Sequence, residues 1–134
     1  MGKRIVSSFD LVICAVDKVK TRLLINQLAK EAGKPLIDGA IDGHYGTVTA
    51  VTGRQDPCLA CMNPEGKEPE HISSSLGTTT MIVGALEAQL AVAYLAGQER
   101  KGGSVLSYDG IYGTVEEIPV FKNPSCPICA EDDC

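Results

Sequence analysis

Two cysteine pairs carry the most specific chemistry in this sequence. Cys58-Leu59-Ala60-Cys61 and Cys126-Pro127-Ile128-Cys129 are both CxxC turns with a proline alongside. Such a turn points two sulfurs at one ion. Two turns together close a tetrahedral shell with no open position, which is the arrangement of a structural Zn²⁺ site. Residues 62–125 separate the pairs, so the ion ties a long loop to the C-terminal tail rather than building a finger. Other readings of the same sulfurs are four unliganded buried thiols, an iron site, or a redox dithiol. A redox CxxC usually opens a helix after a strand, and neither pair is expected to do so. Zinc is preferred over iron because nothing else in the chain suggests electron transfer. Cys14 lies within an apolar run and reads as an inert core residue. Cys134 reads as an exposed chain end.

The second candidate group is acidic. Asp17 directly follows the run Leu11 to Val16. A carboxylate at the end of a parallel strand lies where open α/β sheets bind ligands. There it can hold Mg²⁺, which in turn holds phosphate. It can equally cap the next helix. Arg22 lies five residues on, in the early turns of that helix. The remaining candidates carry less. His44 and His71 read as solvent-exposed histidines, and Asp38 and Asp42 as turn residues flanking a glycine-rich stretch. Ser73 to Ser75 and Thr78 to Thr80 surround Gly77. They offer hydroxyls and a helix N-terminus to an anion, or simply a polar loop and its cap.

Elements that would position these groups can be read from the apolar pattern. Residues 10–16 form a continuous apolar run with β-branched members, the mark of a strand covered on both faces. Residues 18–32 read as a helix ended by Gly33 and Pro35. Pro35 to Asp38 reads as a short second strand, giving a β-α-β unit with a parallel pair. A third strand is expected at about 44–52, with its approach broken by Gly39 and Gly43. Residues 54–76, with Pro57, Pro64, Gly66 and Pro69, read as a long functional or mobile loop. A helix over 78–96 is apolar nearly all round, which predicts burial on most sides in a core or a subunit interface. Thr78, Thr79 or Ser75 would cap it, and Gly84 would mark a close backbone approach. Residues 104–108 and 114–121 read as two strands joined by a turn at Asp109-Gly110.

Composition narrows the function classes. The chain has 134 residues, net charge −5, 44% hydrophobic and 22% charged residues. One domain is expected at that length. It is too apolar to be disordered, and an acidic balance argues against nucleic acid as partner. No membrane association is expected. Met1 to Arg4 is basic, but Ser7, Ser8 and Asp10 interrupt the stretch after it, so no export signal is read there. A cytoplasmic location with reduced thiols is the expectation.

In order along the chain, several pieces resemble the ThiF/MoeB/HesA family, the bacterial relatives of ubiquitin-activating enzymes. They are Asp10 to Asp17, Thr21 to Asn26, Gly33 to Ala40, Gly46 to Thr49, Pro57 to Cys61, Ile82 to Gln89, and Asn123 to Cys129. The resemblance implies an α/β fold: a partial Rossmann-like parallel sheet, continued by mixed strands and a zinc-bearing loop and tail. It implies ATP and Mg²⁺ as cofactors, and adenylation of the C-terminal carboxylate of a ubiquitin-like or sulfur-carrier protein. Asp17 then matches the acidic residue near Mg²⁺ and the phosphates. Asp17 is the candidate catalytic residue, and Asp17 and Arg22 are the candidate cofactor-binding residues. Cys58, Cys61, Cys126 and Cys129 match the zinc ligands, and residues 62–76 match the crossover loop that lies over the partner's tail.

Three departures stand out. Lys18 follows Asp17 where the family usually has Asn, residues 62–76 contain no cysteine, and no G-x-G-x-x-G turn occurs anywhere. The expectation is therefore a single ThiF-like domain over 1–134, truncated on its N-terminal side. It would be the C-terminal part of an adenylyltransferase, inactive alone and docked as a homodimer or on a partner subunit. The alternative is a non-catalytic, zinc-stabilised module that binds a ubiquitin-like protein or a partner subunit.

Overall fold

The computed structural model describes residues 1–98, 100 and 102–129. Along them run α1 (Gly2–Ser7), β1 (Val12–Cys14), α2 (Val19–Glu31), β2 (Leu36–Asp42) and β3 (Tyr45–Val51). Then come α3 (Leu59–Met62), α4 (Gly77–Leu95), β4 (Ser104–Asp109) and β5 (Thr114–Pro119). The strands form one sheet in the order β1-β2-β3-β4-β5. β1 and β2 are parallel, with α2 connecting them, and every later pairing is antiparallel. The expected mixed α/β sheet is therefore present, with one parallel pair at its β1 edge. Nothing pairs with the outer side of β1 among the described residues. The residues preceding it form α1, a helix not anticipated from the sequence, which packs on α2.

Alternation along β2 sends successive residues to opposite faces of the sheet. Leu36 joins Cys14, Ala29 and Leu59 in a core beneath α2. Ile37 joins Val48, Ala50, Val83 and Ala91 in a core beneath α4. The second strand is longer than expected, running to Asp42 through Gly39 and Ala40. Gly39 pairs with Val48 within the strand, and a Cβ there would collide with the Glu87 carboxyl, so the position favours glycine. Gly46 on β3 would collide likewise with Val83. The two glycines let α4 lie close against the hairpin.

α4 is not buried on most sides by this chain's own core. Only the stripe Thr79, Val83, Glu87 and Ala91 is buried. Met81, Val92 and Leu95 are exposed on the other side, the side left for the subunit interface that was the other expectation. By length and composition it could cross a membrane, but its buried stripe rests on β2 and β3. Gly84 faces open space rather than another backbone. Neither Ser75, Thr78 nor Thr79 caps the helix; Leu76 is its N-cap, with no side-chain cap. Cys134 lies outside the described residues.

Candidate functional site

The two CxxC pairs meet. Beyond β3 the chain turns on Asp56, whose Oδ2 accepts hydrogen bonds from the backbone N–H of Thr52 and Gly53. Cys58 then caps α3, a single turn, and the N–H of Cys61 donates to the Cys58 carbonyl. Buried Asn26 of α2 fixes that turn by accepting the Leu59 N–H at 3.1 Å. The tail is attached through Asn123, which donates to the Cys61 carbonyl and accepts the N–H of Ser125. This places Cys126 and Cys129 opposite the first pair.

The sulfur geometry is that of a four-coordinate site. Sγ–Sγ separations are 3.6 Å for Cys58–Cys126 and 3.5 Å for Cys61–Cys129. They are 3.4 Å for Cys58–Cys129 and 3.9 Å for Cys58–Cys61. A tetrahedral Zn²⁺ with ordinary Zn–S bonds requires about 3.8 Å between sulfurs. All four sulfurs lie within 4.8 Å of one another. None of the four is in a disulfide, and all four cysteines are buried. Contrary to expectation, Cys58 does open a short helix. Its separation from Cys129 is nonetheless shorter than that from its own partner Cys61, so the sulfurs form one shell rather than two dithiols.

Burial pushes the Cys58 thiol up to about 12 and the Cys61 thiol upward too. Burial also works to raise Cys129. The Lys30 ammonium, 3.1 Å away, with Cys58 and Cys61, outweighs it and brings that thiol down to about 7. Four buried thiols in this arrangement fit a dication, which stabilises the thiolates that burial alone disfavours. Lys30 offsets part of the excess negative charge such a site carries.

The ends of β1 and β2 form the second constellation. Asp17 follows β1, is exposed, and makes no hydrogen bond or ion pair among the described residues. It does not cap α2; the N-cap is Lys18, with no side-chain cap. Arg22 points inward. Its guanidinium donates to Asp38 Oδ2 at 2.7 Å, to the Val16 carbonyl at 2.6 Å and to the Gly39 carbonyl at 3.2 Å. It thus clamps the ends of both parallel strands, and Asp38 is its buried counter-ion rather than a turn residue. Burial raises the Asp38 carboxyl, with Arg22 pulling against it. Cys14 is fully buried next to Asp38, and burial raises its thiol to about 12, in keeping with an inert core residue.

The long loop is anchored at both ends. Glu68 accepts the backbone N–H groups of Val19 and Lys20, each at 3.1 Å. His71 is exposed, as expected, but its Nε2 lies 2.5 Å from Asp42 Oδ2. His44 is exposed, and its carbonyl accepts the N–H of Gly110. Glu68 and Glu87 were not singled out in the sequence, though they lie in the 62–76 loop and the Ile82 to Gln89 piece, because both act through residues far along the chain.

The model of the ThiF family matches residues 1–128. This chain belongs to the ThiF family. It is 34% identical over 133 residues to the SAMP-activating enzyme E1 of Haloferax volcanii, covering 95% of this chain and 49% of that protein. It is 32% identical over 139 residues to the sulfur carrier protein adenylyltransferase of Thermus thermophilus, covering 96% of this chain and 51% of that one. The chain thus spans about half the length of these curated relatives. In fold it resembles E. coli MccB crystallised with AMPCPP and MccA. That match has a TM-score of 0.71 at 13% identity, over 90% of this chain and 39% of MccB.

Proposed function

We propose that this chain is the zinc-bearing, C-terminal part of an ATP-dependent adenylyltransferase that activates the C-terminal carboxylate of a ubiquitin-like or sulfur-carrier protein. One observation carries the reading. The chain matches the Haloferax and Thermus enzymes over nearly its whole length, yet spans only half of each. Zn²⁺, held by Cys58, Cys61, Cys126 and Cys129, would supply structure only: a closed Cys₄ shell leaves no position for substrate. Asp17 is the Mg²⁺-side carboxylate and the candidate catalytic residue, because it is exposed, and unpaired among the described residues, just past the end of a parallel strand. One carboxylate suffices as the protein's share, since Mg²⁺ takes most of its oxygens from phosphate and water. Three of the Arg22 N–H groups are engaged by Asp38 and the Val16 and Gly39 carbonyls, which leaves at most its remaining N–H groups for a cofactor. The role of Arg22 is to hold the strand ends from which Asp17 projects.

No glycine-rich phosphate turn occurs in the sequence, so the chain alone is expected not to adenylate. Pyrophosphate exchange into ATP, with a sulfur-carrier protein present, should stay at background; robust turnover by the isolated chain contradicts this. The outer side of β1, open among the described residues, also suits a binding module that completes its site on another subunit. The exposed apolar side of α4 is where a second copy or a partner subunit would dock. Sedimentation showing a stable monomer at micromolar concentration contradicts that docking. The cytoplasm, where thiols remain reduced, suits the metal centre.

A further inference from the structure

α2 begins without any cap of its own. Its N-cap is Lys18, and its first turn holds no acidic residue. The first N–H groups of a helix need acceptors, and here a residue from a distant segment provides them. Glu68 Oε2 accepts from Val19 and Oε1 from Lys20, so the carboxylate straddles the turn directly after Asp17 and Lys18. These N–H groups hold the Glu68 carboxyl below its usual range, which keeps it ionised as an acceptor.

The segment that carries Glu68 is built to present it. Asn63 donates to the Lys67 carbonyl and accepts the Lys67 N–H, which fixes the turn just before Glu68. Beyond Glu68, His71 meets Asp42, the Ser74 N–H meets Asp42 Oδ1, and the Gly43 N–H meets the Ser74 carbonyl. Residues 63–75 have no helix or strand of their own apart from the bridge of Ser75 to Gly43. The segment is therefore a strap across the ends of β1 and β2, held by exposed contacts at Glu68 and at 71–75.

We propose that Glu68 is a positioning residue that couples this strap to Asp17. When the strap is down, Glu68 locks the first turn of α2 and with it the step from which the Asp17 carboxylate projects. A displacement of the strap at Glu68 therefore reaches Asp17 through the N–H groups of Val19 and Lys20. This rests on the reading of Asp17 as the Mg²⁺-side carboxylate, but its test does not.

Amide hydrogen exchange on the zinc-loaded chain, with the carboxyl-carbon NMR shift of Asp17, separates coupling from a local surface contact. In Glu68→Ala the amides of Val19 and Lys20 should exchange about three- to thirtyfold faster. Residues 63–70 should also lose protection, and the Asp17 signal should move. Glu68→Gln, which keeps one acceptor oxygen, should be intermediate. Ser73→Ala should leave Asp17 and the α2 amides unchanged. Faster exchange confined to 63–76, with Val19, Lys20 and Asp17 unaffected, overturns the proposal. If instead the coupling holds and Asp17→Asn has no effect on adenylation by this chain joined to the upstream half of a relative, the functional reading of Asp17 falls and the positioning role of Glu68 stands.

Discussion

Glu87 sits with 6% of its surface exposed, packed over Gly39, and burial followed by the nearby Asp38 charge pushes its carboxyl up to about 7. Its Oε1 has no hydrogen-bond partner among the described residues. A carboxyl whose folded value lies above its unfolded 4.5 binds more protons when folded. Stability therefore falls as pH rises from about 4.5 to about 7, and the penalty is constant above that range. Glu87→Gln should remove it. Urea unfolding at pH 8 should show the variant more stable by on the order of 1–3 kcal/mol, with the gap largely closed near pH 4.5. A gap independent of pH contradicts the burial of a charge there. Such a residue is illegible in sequence, where Glu87 looks like one more helix former. The four clustered cysteines were legible because type and spacing alone point to a metal-holding set. Asp17 was legible as a strand-end acid, but the inward turn of Arg22 was not, because its counter-ion Asp38 looked like part of a turn.

α4 and the β2–β3 hairpin form the unit on which the larger of the two sheet-face cores depends. Val83 lies over Gly46 and Glu87 over Gly39, so the contact has no room for added side chains. Gly46→Val should force the helix outward and destabilise the chain by about 1–3 kcal/mol, read as a lower urea midpoint. Gly84→Ala, pointing into open space, should be neutral or stabilising by up to about 1 kcal/mol. Equal effects at the two glycines contradict this packing. The strands and long helices were readable from apolar runs, including the antiparallel β4 and β5. The end of β2 was not, because Gly39 and Gly43 look alike in sequence. One is a close-packing strand residue and the other a turn residue with φ 58°. The exposed side of α4 was hidden for another reason: a helix apolar all round has no periodicity to say which side meets the sheet.

At the scale of the whole molecule, the four-cysteine cluster joins the α3 segment to the tail. α3 and the tail meet through Cys58, Cys61, Cys126 and Cys129, supported by Asn26, Asn123 and Lys30. Chelation should lower the thermal midpoint by on the order of 10 °C or more, because metal affinity here is folding free energy. It should also expose residues 52–62 and 120–129 to protease first. An unchanged midpoint after complete metal removal contradicts the zinc assignment. The central claim is that this chain contributes the metal centre and the Asp17 carboxylate to an adenylating enzyme, whose phosphate-binding part is supplied by other residues. The most direct test joins the upstream half of the Thermus thermophilus relative to this chain and measures pyrophosphate exchange into ATP with a sulfur-carrier protein. The account predicts exchange by the chimera, reduced about a hundredfold or more by Asp17→Asn. A folded, zinc-loaded chimera that exchanges no pyrophosphate, or one indifferent to Asp17→Asn, would contradict it.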